Sequence, residues 1–390
     1  MATTRRHRAG ARVGSPELLT TVPRPRRATP AQPRANTSFC TDAPVARHVP
    51  RKAAHDAPMF TALIDDITRA GGAAGRAYLV GLGHDDRLLL AAVRTGRVSR
   101  PRRGWYSIWP EQDPRTQALR VGGRLTGLSA IAAMDGWVRR RGRMHVAVPV
   151  NASRLRCPRR RTVTFARSSR RTQVVLHWTR QAHDRDVSTG LVDVREALEV
   201  AIATEAAEDA VAAIDWARRR GLIDVIDAFA LVRRVPRRSR SVVGWSSERC
   251  DSLPESLART RLARRGLRVT EQVALPNDPS PVDLVIEGAV GLEIDGERFH
   301  RDRFARDRSK DLAITIEGLH AIRPAASHVF DSWPTVEAAI LTALAARGIT
   351  PELRPTVGVD NSGQPRRYRR PTRAHPRSVS VKPRRRARLS

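Results

Sequence analysis

The sequence predicts a mixed α/β protein with several domains. The chain has 390 residues, which is enough for two or three domains. Near the N-terminus, three short helical patterns precede a basic, strand-like segment, and further on the order of patterns is α-β-β-β-α-β-α. Hydrophobic residues make up 41% of the chain but aromatic residues only 4%, so aliphatic side chains must form the cores.

Shifts in composition divide the chain into five segments. The first and last are rich in Arg and Pro and have no hydrophobic periodicity, which predicts disorder. An alternative for the first is that translation starts at Met59. A helical segment, a mixed α/β and helical region, and a further α/β domain lie between the two ends. The five predicted segments are 1–58, 59–110, 111–250, 251–347 and 348–390.

The charge of the chain is strongly positive, with a formal net charge of +32. Such a charge indicates a polyanionic partner, and DNA is the partner we expect. Only Lys52, Lys310 and Lys382 are lysines, so codon bias toward Arg is an alternative explanation. Residues 251–350 are slightly acidic, so we expect anion binding mainly before this stretch.

The cysteines and the hydropathy exclude two classes of protein. Cys40, Cys157 and Cys250 are isolated and show no CxxC spacing, which argues against a disulfide framework and a cysteine zinc site. The chain has no run of about 18 apolar residues, so no membrane span is expected. Both observations favour a cytoplasmic location.

The segment 59–110 has the pattern of a winged helix-turn-helix. Helices are predicted in "MFTALIDDITRA", "GGAAGRAYLVGLG" and "HDDRLLLAAVRTGRV", the last capped by Asp85 or Asp86, and a basic turn and strand follow in "VSRPRRGWYSI". In this fold the third helix enters the major groove and the wing contacts phosphates. The alternative is a small helical cap with solvated arginines. The candidate DNA-binding residues here are Arg94, Arg97, Arg100, Arg102 and Arg103.

The region 111–250 predicts a small α/β unit followed by helices. We expect a helix in "RLTGLSAIAAMDGW" and strands in "MHVAVPV", "RTVTFAR" and "QVVLHWTR". Two Ala-rich helices follow in "VDVREALEVAIATEAAEDAVAAIDWARRRGLI", and a third in "DVIDAFALVRRV". We expect the acids of the Ala-rich stretch to form a solvated helix face.

The segment 251–347 predicts the order α-β-β-β-α-β-α. Its first helix is capped by Asp251 or Ser252, and two of its strands form a hairpin around Gly288. The helix in "RFARDRSKDLAITIEG" is expected to face the core with Phe304, Leu312 and Ile316.

Acidic residues converge within this segment. Glu293 and Asp295 are two apart in a predicted strand and therefore point to the same face. Neighbouring carboxylates repel each other unless a cation or a shared proton holds them. Asp283 lies on the adjacent strand and Glu255 on the preceding helix, so a hard divalent cation such as Mg²⁺ fits the set. The alternative is a solvated hairpin turn at Asp295-Gly296.

Basic residues follow this acidic set. His300 could transfer a proton, and Arg306, Arg308 and Lys310 could hold the charge of a phosphate. Together with the acids, these side chains form a candidate site at which a metal would polarise a phosphoryl oxygen.

The stretch "VDLVIEGAVGLEIDGERFHRDRFARDRSKDLAITIEGLHAIRP" resembles the Vsr-like branch of the PD-(D/E)XK nuclease superfamily, in particular an actinobacterial C-terminal domain of unknown function. The resemblance implies a restriction-endonuclease-like fold and metal-dependent DNA cleavage, with Glu255, Asp283 and Glu293 at motif positions. Asp295 stands where the superfamily has a lysine. The cationic role would then fall to Lys310 or Arg308, or to a second metal.

The front half is similar to AbiEi-like transcriptional regulators and antitoxins. The segments that carry the similarity are "GGAAGRAYLVGLG", "LLLAAVRTGRVSRPRRGWYS", "LTGLSAIAAMDGW", "MHVAVP" and "AIDWARRRGL". This resemblance implies a competing function, namely a non-catalytic regulator with a cognate toxin as partner. A third alternative is a scaffold that binds RNA or another protein.

Overall fold

The computed structural model describes residues 57–139, 142–168, 173–180, 188–296 and 304–355. These residues belong to one compact unit. They contain helices and three small sheets, which confirms the mixed α/β class. No helix in this part of the chain is long and apolar enough to cross a membrane. The predicted disorder of the two ends falls almost entirely outside the described residues, and the predicted domain boundaries remain predictions.

The first part consists of three helices and a three-stranded sheet. The sheet has the order β1-β3-β2 and is antiparallel. Phe60, Leu63 and Ile67 of the first helix pack into a core with Leu89 of the third. Asp85 caps the third helix, as predicted, because its carboxylate accepts a hydrogen bond from the Leu88 backbone N–H at 2.7 Å. The elements are α1 (Ala57–Arg69), β1 (Ala73–Gly75), α2 (Arg76–Gly81), α3 (Asp86–Arg94), β2 (Ser99–Arg102) and β3 (Trp105–Ser107).

The middle part packs helices around a second small sheet. The sheet has the order β4-β5-β6, in which β4 is antiparallel and β6 parallel to β5. The elements are α4 (Pro114–Val121), β4 (Arg124–Leu125), α5 (Gly127–Ala133), β5 (Met144–Pro149), α6 (Phe165–Ser168), β6 (Val174–Thr179), α7 (Val194–Thr204), α8 (Ala207–Arg219), α9 (Val225–Leu231) and a 3-10 helix (Arg237–Trp245).

The strand predicted in "RTVTFAR" is wrong. The segment makes a turn in which the Val163 N–H donates to the Arg160 carbonyl, pairs once between Thr164 and Arg156, and continues as α6. The segment pairs only through this one bridge and is not part of the β4-β5-β6 sheet. The local turn and the start of α6 therefore override the alternating pattern.

The acids of the Ala-rich helices do not form the solvated face that we expected. Glu208 is 2% exposed and Asp215 is 0% exposed, and both lie on α8. Asp215 accepts hydrogen bonds from the Ser256 hydroxyl at 2.6 Å and from the Arg259 guanidinium at 2.9 Å. Buried carboxylates require such partners, and arginines distant in sequence supply them.

The C-terminal part carries the largest sheet. The order of its elements is the predicted one, with an additional short helix before the last. The sheet order is β10-β9-β8-β7, with β10 parallel to β9 and the other pairs antiparallel. The elements are α10 (Leu253–Arg264), β7 (Val269–Leu275), β8 (Asp278–Ile286), β9 (Val290–Leu292), α11 (Phe304–Ile316), β10 (His320–Ile322), α12 (Ala326–Asp331) and α13 (Trp333–Ala345).

The residues of α11 that face the sheet differ from the predicted ones. Leu312 and Ile316 are 65% and 70% exposed, whereas Ala313 and Ile314 are buried. Ile314 packs closely on Gly291 of β9, where a Cβ atom would lie 2.8 Å from the Ile314 Cγ2 atom. The missing side chain at Gly291 therefore selects which face of α11 approaches the sheet.

Candidate functional site

Asp283 and Glu293 lie side by side on two adjacent strands. Asp283 is in β8, and Glu293 directly follows β9, one residue beyond the Leu284–Leu292 pair of the register. The Asp283 N–H donates to Glu293 Oε1 at 3.1 Å, and the Ile294 N–H donates to Asp283 Oδ2 at 2.8 Å. Each carboxylate is thus fixed by the backbone of the opposite strand.

Lys310 brings a positive charge to this pair from α11. Its Nζ atom lies 2.7 Å from Glu293 Oε2 and donates to the Pro281 carbonyl at 2.8 Å. The side chains of Lys310 and Glu293 are 13% and 10% exposed, so the ion pair is shielded from solvent. The geometry places Lys310 where a cationic partner for the acids was expected.

Glu255 lies in the first turn of α10 and is 6% exposed. Its Oε1 atom accepts from the Ser252 hydroxyl at 2.6 Å, and its Oε2 atom accepts from the Asp251 N–H at 2.8 Å. A further donor to Oε2 is the Gln272 amide at 3.1 Å. Of the two predicted caps, Ser252 is the one observed. Glu255 is thus held in place at the edge of the site.

Gln272 is a residue of this site that was not predicted. It lies in β7 between the Glu271–Leu284 and Val273–Val282 pairs, across from Asp283. Its φ angle is +50°, a left-handed conformation that costs a non-glycine residue about 1–2 kcal/mol. Backbone strain of this kind concentrates at functional positions. The sequence signal that could have identified Gln272 is its neighbour Glu271, because two adjacent polar residues interrupt the alternation of apolar and polar side chains in the strand.

The electrostatics of the acidic residues favour a cation or a proton. Burial, with the negative charge of Glu255 adding to it, raises the pKa of Asp283 to about 6. Burial and the charge of Asp283 raise the pKa of Glu293 to about 7, against the opposing effect of Lys310. Burial also raises the pKa of Glu255. One lysine therefore does not compensate for all the negative charge at this site.

A divalent metal fits two of the predicted ligands. Mg²⁺ is commonly held by one or two carboxylates, with water and substrate phosphates as the other ligands, and Asp283 with Glu293 meets this requirement. The described residues contain no group of three or more His, Cys, Asp or Glu that could hold a metal. Asp295 has its carboxylate 3.7 Å from Arg323. The predicted three-carboxylate set of Asp283, Glu293 and Asp295 is therefore not assembled.

The remaining predicted residues of this site are less completely described. His300 lies outside the described residues. Arg306 and Arg308 lie on α11, the helix that carries Lys310. The structure thus brings together Asp283, Glu293 and Lys310, with Glu255 at the edge.

The five candidate DNA-binding arginines lie at the end of α3 and along β2 and its turn. Arg94, Arg97 and Arg103 are exposed, and Arg100 lies 5.7 Å from the ring centre of Tyr106. Arg102 packs against Gly122 at the end of α4, and burial together with Arg156 lowers its pKa. Arg102 therefore contacts the middle part of the protein, unlike its exposed neighbours.

No family model, no curated protein and no solved structure matches this chain. The resemblances to the Vsr-like and AbiEi-like families therefore rest on the sequence motifs alone. A functional proposal has to stand on the residues of the site, and chiefly on Asp283, Glu293 and Lys310.

Proposed function

We propose that the protein binds DNA and hydrolyses its phosphodiester bonds with a divalent metal, Mg²⁺ or Mn²⁺, at Asp283 and Glu293. The observation that carries this proposal is a pair of neighbouring carboxylates on adjacent strands whose pKa values are raised to about 6 and about 7. Titratable groups with strongly shifted pKa values cluster at functional sites. Lys310 next to Glu293 adds the positive charge that phosphoryl transfer requires.

Asp283 and Glu293 would hold the metal, and its positive charge would offset the repulsion between the two carboxylates. The metal, when bound, would polarise a phosphoryl oxygen and lower the pKa of a bound water. Because the chain would supply two carboxylates, water and the phosphate oxygens of the substrate would have to supply the other ligands.

The other residues of the site have distinct roles in this proposal. Lys310 favours the ionised form of Glu293 through the 2.7 Å ion pair and adds positive charge where the phosphate gains negative charge. Glu255 is a candidate acid or base, because its raised pKa brings proton exchange closer to neutral pH. Ser252 and Gln272 position Glu255 through their hydrogen bonds to its two oxygens.

A second candidate function is a non-catalytic DNA-binding regulator with a toxin as partner. The observation that favours it is the ion pair itself, since the Lys310 ammonium lies 2.7 Å from Glu293 Oε2 and already pairs its charge. In this case the Lys310–Glu293 ion pair would join α11 to the end of β9, and the exposed arginines near α3 would bind an operator.

Cleavage of plasmid and mismatched duplex DNA by the full chain, with Mg²⁺ or Mn²⁺, tests the proposal. We expect Asp283→Asn and Glu293→Gln each to lower the rate at least about 100-fold, because each removes a metal ligand, while DNA binding in EDTA stays unchanged. The matched control is Asp278→Asn, at the other end of β8, which should cleave like the wild type.

Two results would contradict the proposal. Equal cleavage by the wild type, Asp283→Asn and Glu293→Gln would exclude this site. An absence of cleavage with either metal, combined with specific binding upstream of the protein's own gene, would support the regulator instead.

A further inference from the structure

A cleft of about 700 Å³ opens beside β2, away from the acidic site. The end of α3 and the β2–β3 pair form one side of the cleft, and the loop 157–163 forms the other. Helix α4 also contributes to the lining. Glu111 is the single acid in its described lining. We call this the basic cleft. Six arginines line it: Arg97, Arg100, Arg120, Arg159, Arg160 and Arg161.

Arg120 is the buried member of this set. It is 5% exposed, and its Nη1 atom donates to the Pro158 carbonyl at 2.7 Å. Its Nε atom is buried without a hydrogen-bond partner in the structure, and the partner of its Nη1 atom is a neutral carbonyl, not a carboxylate. Burial lowers its pKa, Glu111 opposes this effect, and Arg161 adds to it. A buried guanidinium without a carboxylate is costly, and an anion in the cleft would offset that cost.

The loop 157–163 presents three consecutive arginines to the cleft. The Cys157 N–H donates to the Val163 carbonyl at 2.9 Å, and the Val163 N–H donates to the Arg160 carbonyl at 3.1 Å. The backbone of the loop is therefore closed, and the side chains at 159–161 are exposed at its tip. Three adjacent positive charges repel one another, and an anion between them relieves the repulsion.

The opposite wall of the cleft is also basic. Arg97 is exposed just after α3, and the Arg100 guanidinium lies over the ring of Tyr106. Positive charge thus faces the cleft from both sides and from the buried Arg120. A single carboxylate cannot neutralise this arrangement, whereas a chain of phosphates carries one negative charge at each step.

We infer that the basic cleft holds consecutive phosphates of a nucleic acid strand, with Arg120 as the buried anchor. Guanidinium groups bind phosphate through paired hydrogen bonds, which suits a cleft lined by arginines. This inference rests on the DNA binding in the proposed function. It extends the contact surface from the arginines near α3 to the loop 157–163, which the sequence patterns did not single out.

Salt-dependent binding tests this inference. The full chain binds a labelled DNA duplex in EDTA, and the logarithm of affinity is plotted against the logarithm of salt concentration. Each phosphate contact contributes about 0.9 to the slope, so the triple variant R159Q/R160Q/R161Q should reduce its magnitude by about 1–3 and weaken binding at low salt. The matched control is R220Q/R237Q/R238Q, which removes the same charge at three exposed positions elsewhere. Its slope should equal that of the wild type.

Two results would overturn the inference about the basic cleft. Equal slopes for both triple variants, whether changed or unchanged, would overturn the inference. Tripolyphosphate serves as a second ligand: if it binds the wild type in a loop-dependent way while duplex binding ignores the loop, the cleft is a site for free polyphosphate and the inference is wrong. Arg120→Lys keeps the charge but loses the forked guanidinium, so it should weaken duplex binding in a protein whose far-ultraviolet circular dichroism is unchanged.

Cleavage is measured separately, so the two proposals fail separately. The nuclease proposal alone would be overturned if the loop variant binds DNA with a reduced slope but the wild type does not cleave DNA. A loop variant with an unchanged slope in a protein that does cleave would overturn the inference about the basic cleft alone.

Discussion

Glu208 connects three separate parts of the fold, and its removal should destabilise the protein strongly. The residue lies on α8 and is 2% exposed. Its carboxylate accepts from Arg261 of α10 at 2.7 and 3.1 Å and from Arg139 at 2.6 Å. Glu208→Ala would leave two largely buried guanidinium groups without this partner. Breaking a buried ion pair in this way costs about 3–5 kcal/mol.

Thermal unfolding, followed by circular dichroism or calorimetry, measures this cost. The unfolding entropy is about 2.1 cal/mol/K per residue, so in a folded part of roughly 280 residues each 1 kcal/mol lowers Tm by about 1–2 °C. Glu208→Ala should therefore lower Tm by roughly 3–10 °C. Glu248→Ala is the matched control. Glu248 also pairs with an arginine, Arg218, at 2.8 Å, but its side chain is 61% exposed. A surface pair of this kind contributes about 0–1 kcal/mol.

The pH dependence of a second variant, Glu208→Gln, provides an independent check. Burial disfavours the ionised form of Glu208, but Arg261 and then Arg139 outweigh burial and hold its pKa below the usual 4.5. A carboxylate whose pKa is lower in the folded state stabilises the fold above the unfolded pKa and loses this contribution as pH falls. The difference in stability between the wild type and Glu208→Gln should therefore shrink below about pH 4.5.

Three results would refute this reasoning. The first is a loss of less than about 1 kcal/mol for Glu208→Ala, which is the range of a surface pair. The second is an equal effect of Glu208→Ala and Glu248→Ala. The third is a difference between the wild type and Glu208→Gln that grows on acidification.

Further predictions concern the acidic site. Lys310→Met should raise the pKa of Glu293 further above about 7, because it removes the opposing cation, whereas Lys310→Arg keeps the charge and should not. Carboxyl NMR titration measures this pKa, and an unchanged value in Lys310→Met would contradict the ion pair. Gln272→Ala should be less stable than Gln272→Gly by about 1 kcal/mol in urea unfolding, since only glycine tolerates the positive φ without strain. Mn²⁺ at 100 times its Kd should stabilise the wild type by about 2.7 kcal/mol but not Asp283→Asn, and equal shifts in Tm would exclude Asp283 as a ligand.

Elements with strong local signals could be predicted from the sequence. Helix α3 has a capping carboxylate at Asp85, and α10 has Ser252 and a proline in its first turn. The hairpin at Gly288 was also predicted, and the glycine adopts φ +66° there. These signals act within a few residues of one another, so they do not depend on the rest of the chain.

Features that depend on distant partners could not be predicted. Glu208 looked like a solvated acid because Arg261, which buries it, is more than fifty residues away. The inward face of α11 depends on the space above Gly291, and the short strand β4 exists only because β5 provides an edge. The sequence pattern predicted that Asp283 and Glu293 lie close together. It did not decide whether Lys310, Arg308 or a second metal provides the positive charge beside them.

The strained backbone at Gln272 also affects how the sheet meets other chains. Strand β7 pairs only with β8 in the described sheet, so its outer edge has unpaired N–H and carbonyl groups. A regular edge of this kind is a template on which a strand from another molecule can add, which leads to aggregation. The left-handed residue interrupts the regular spacing of those groups halfway along the strand. We therefore expect the conformation that positions an amide next to Glu255 also to disfavour intermolecular strand addition at this edge.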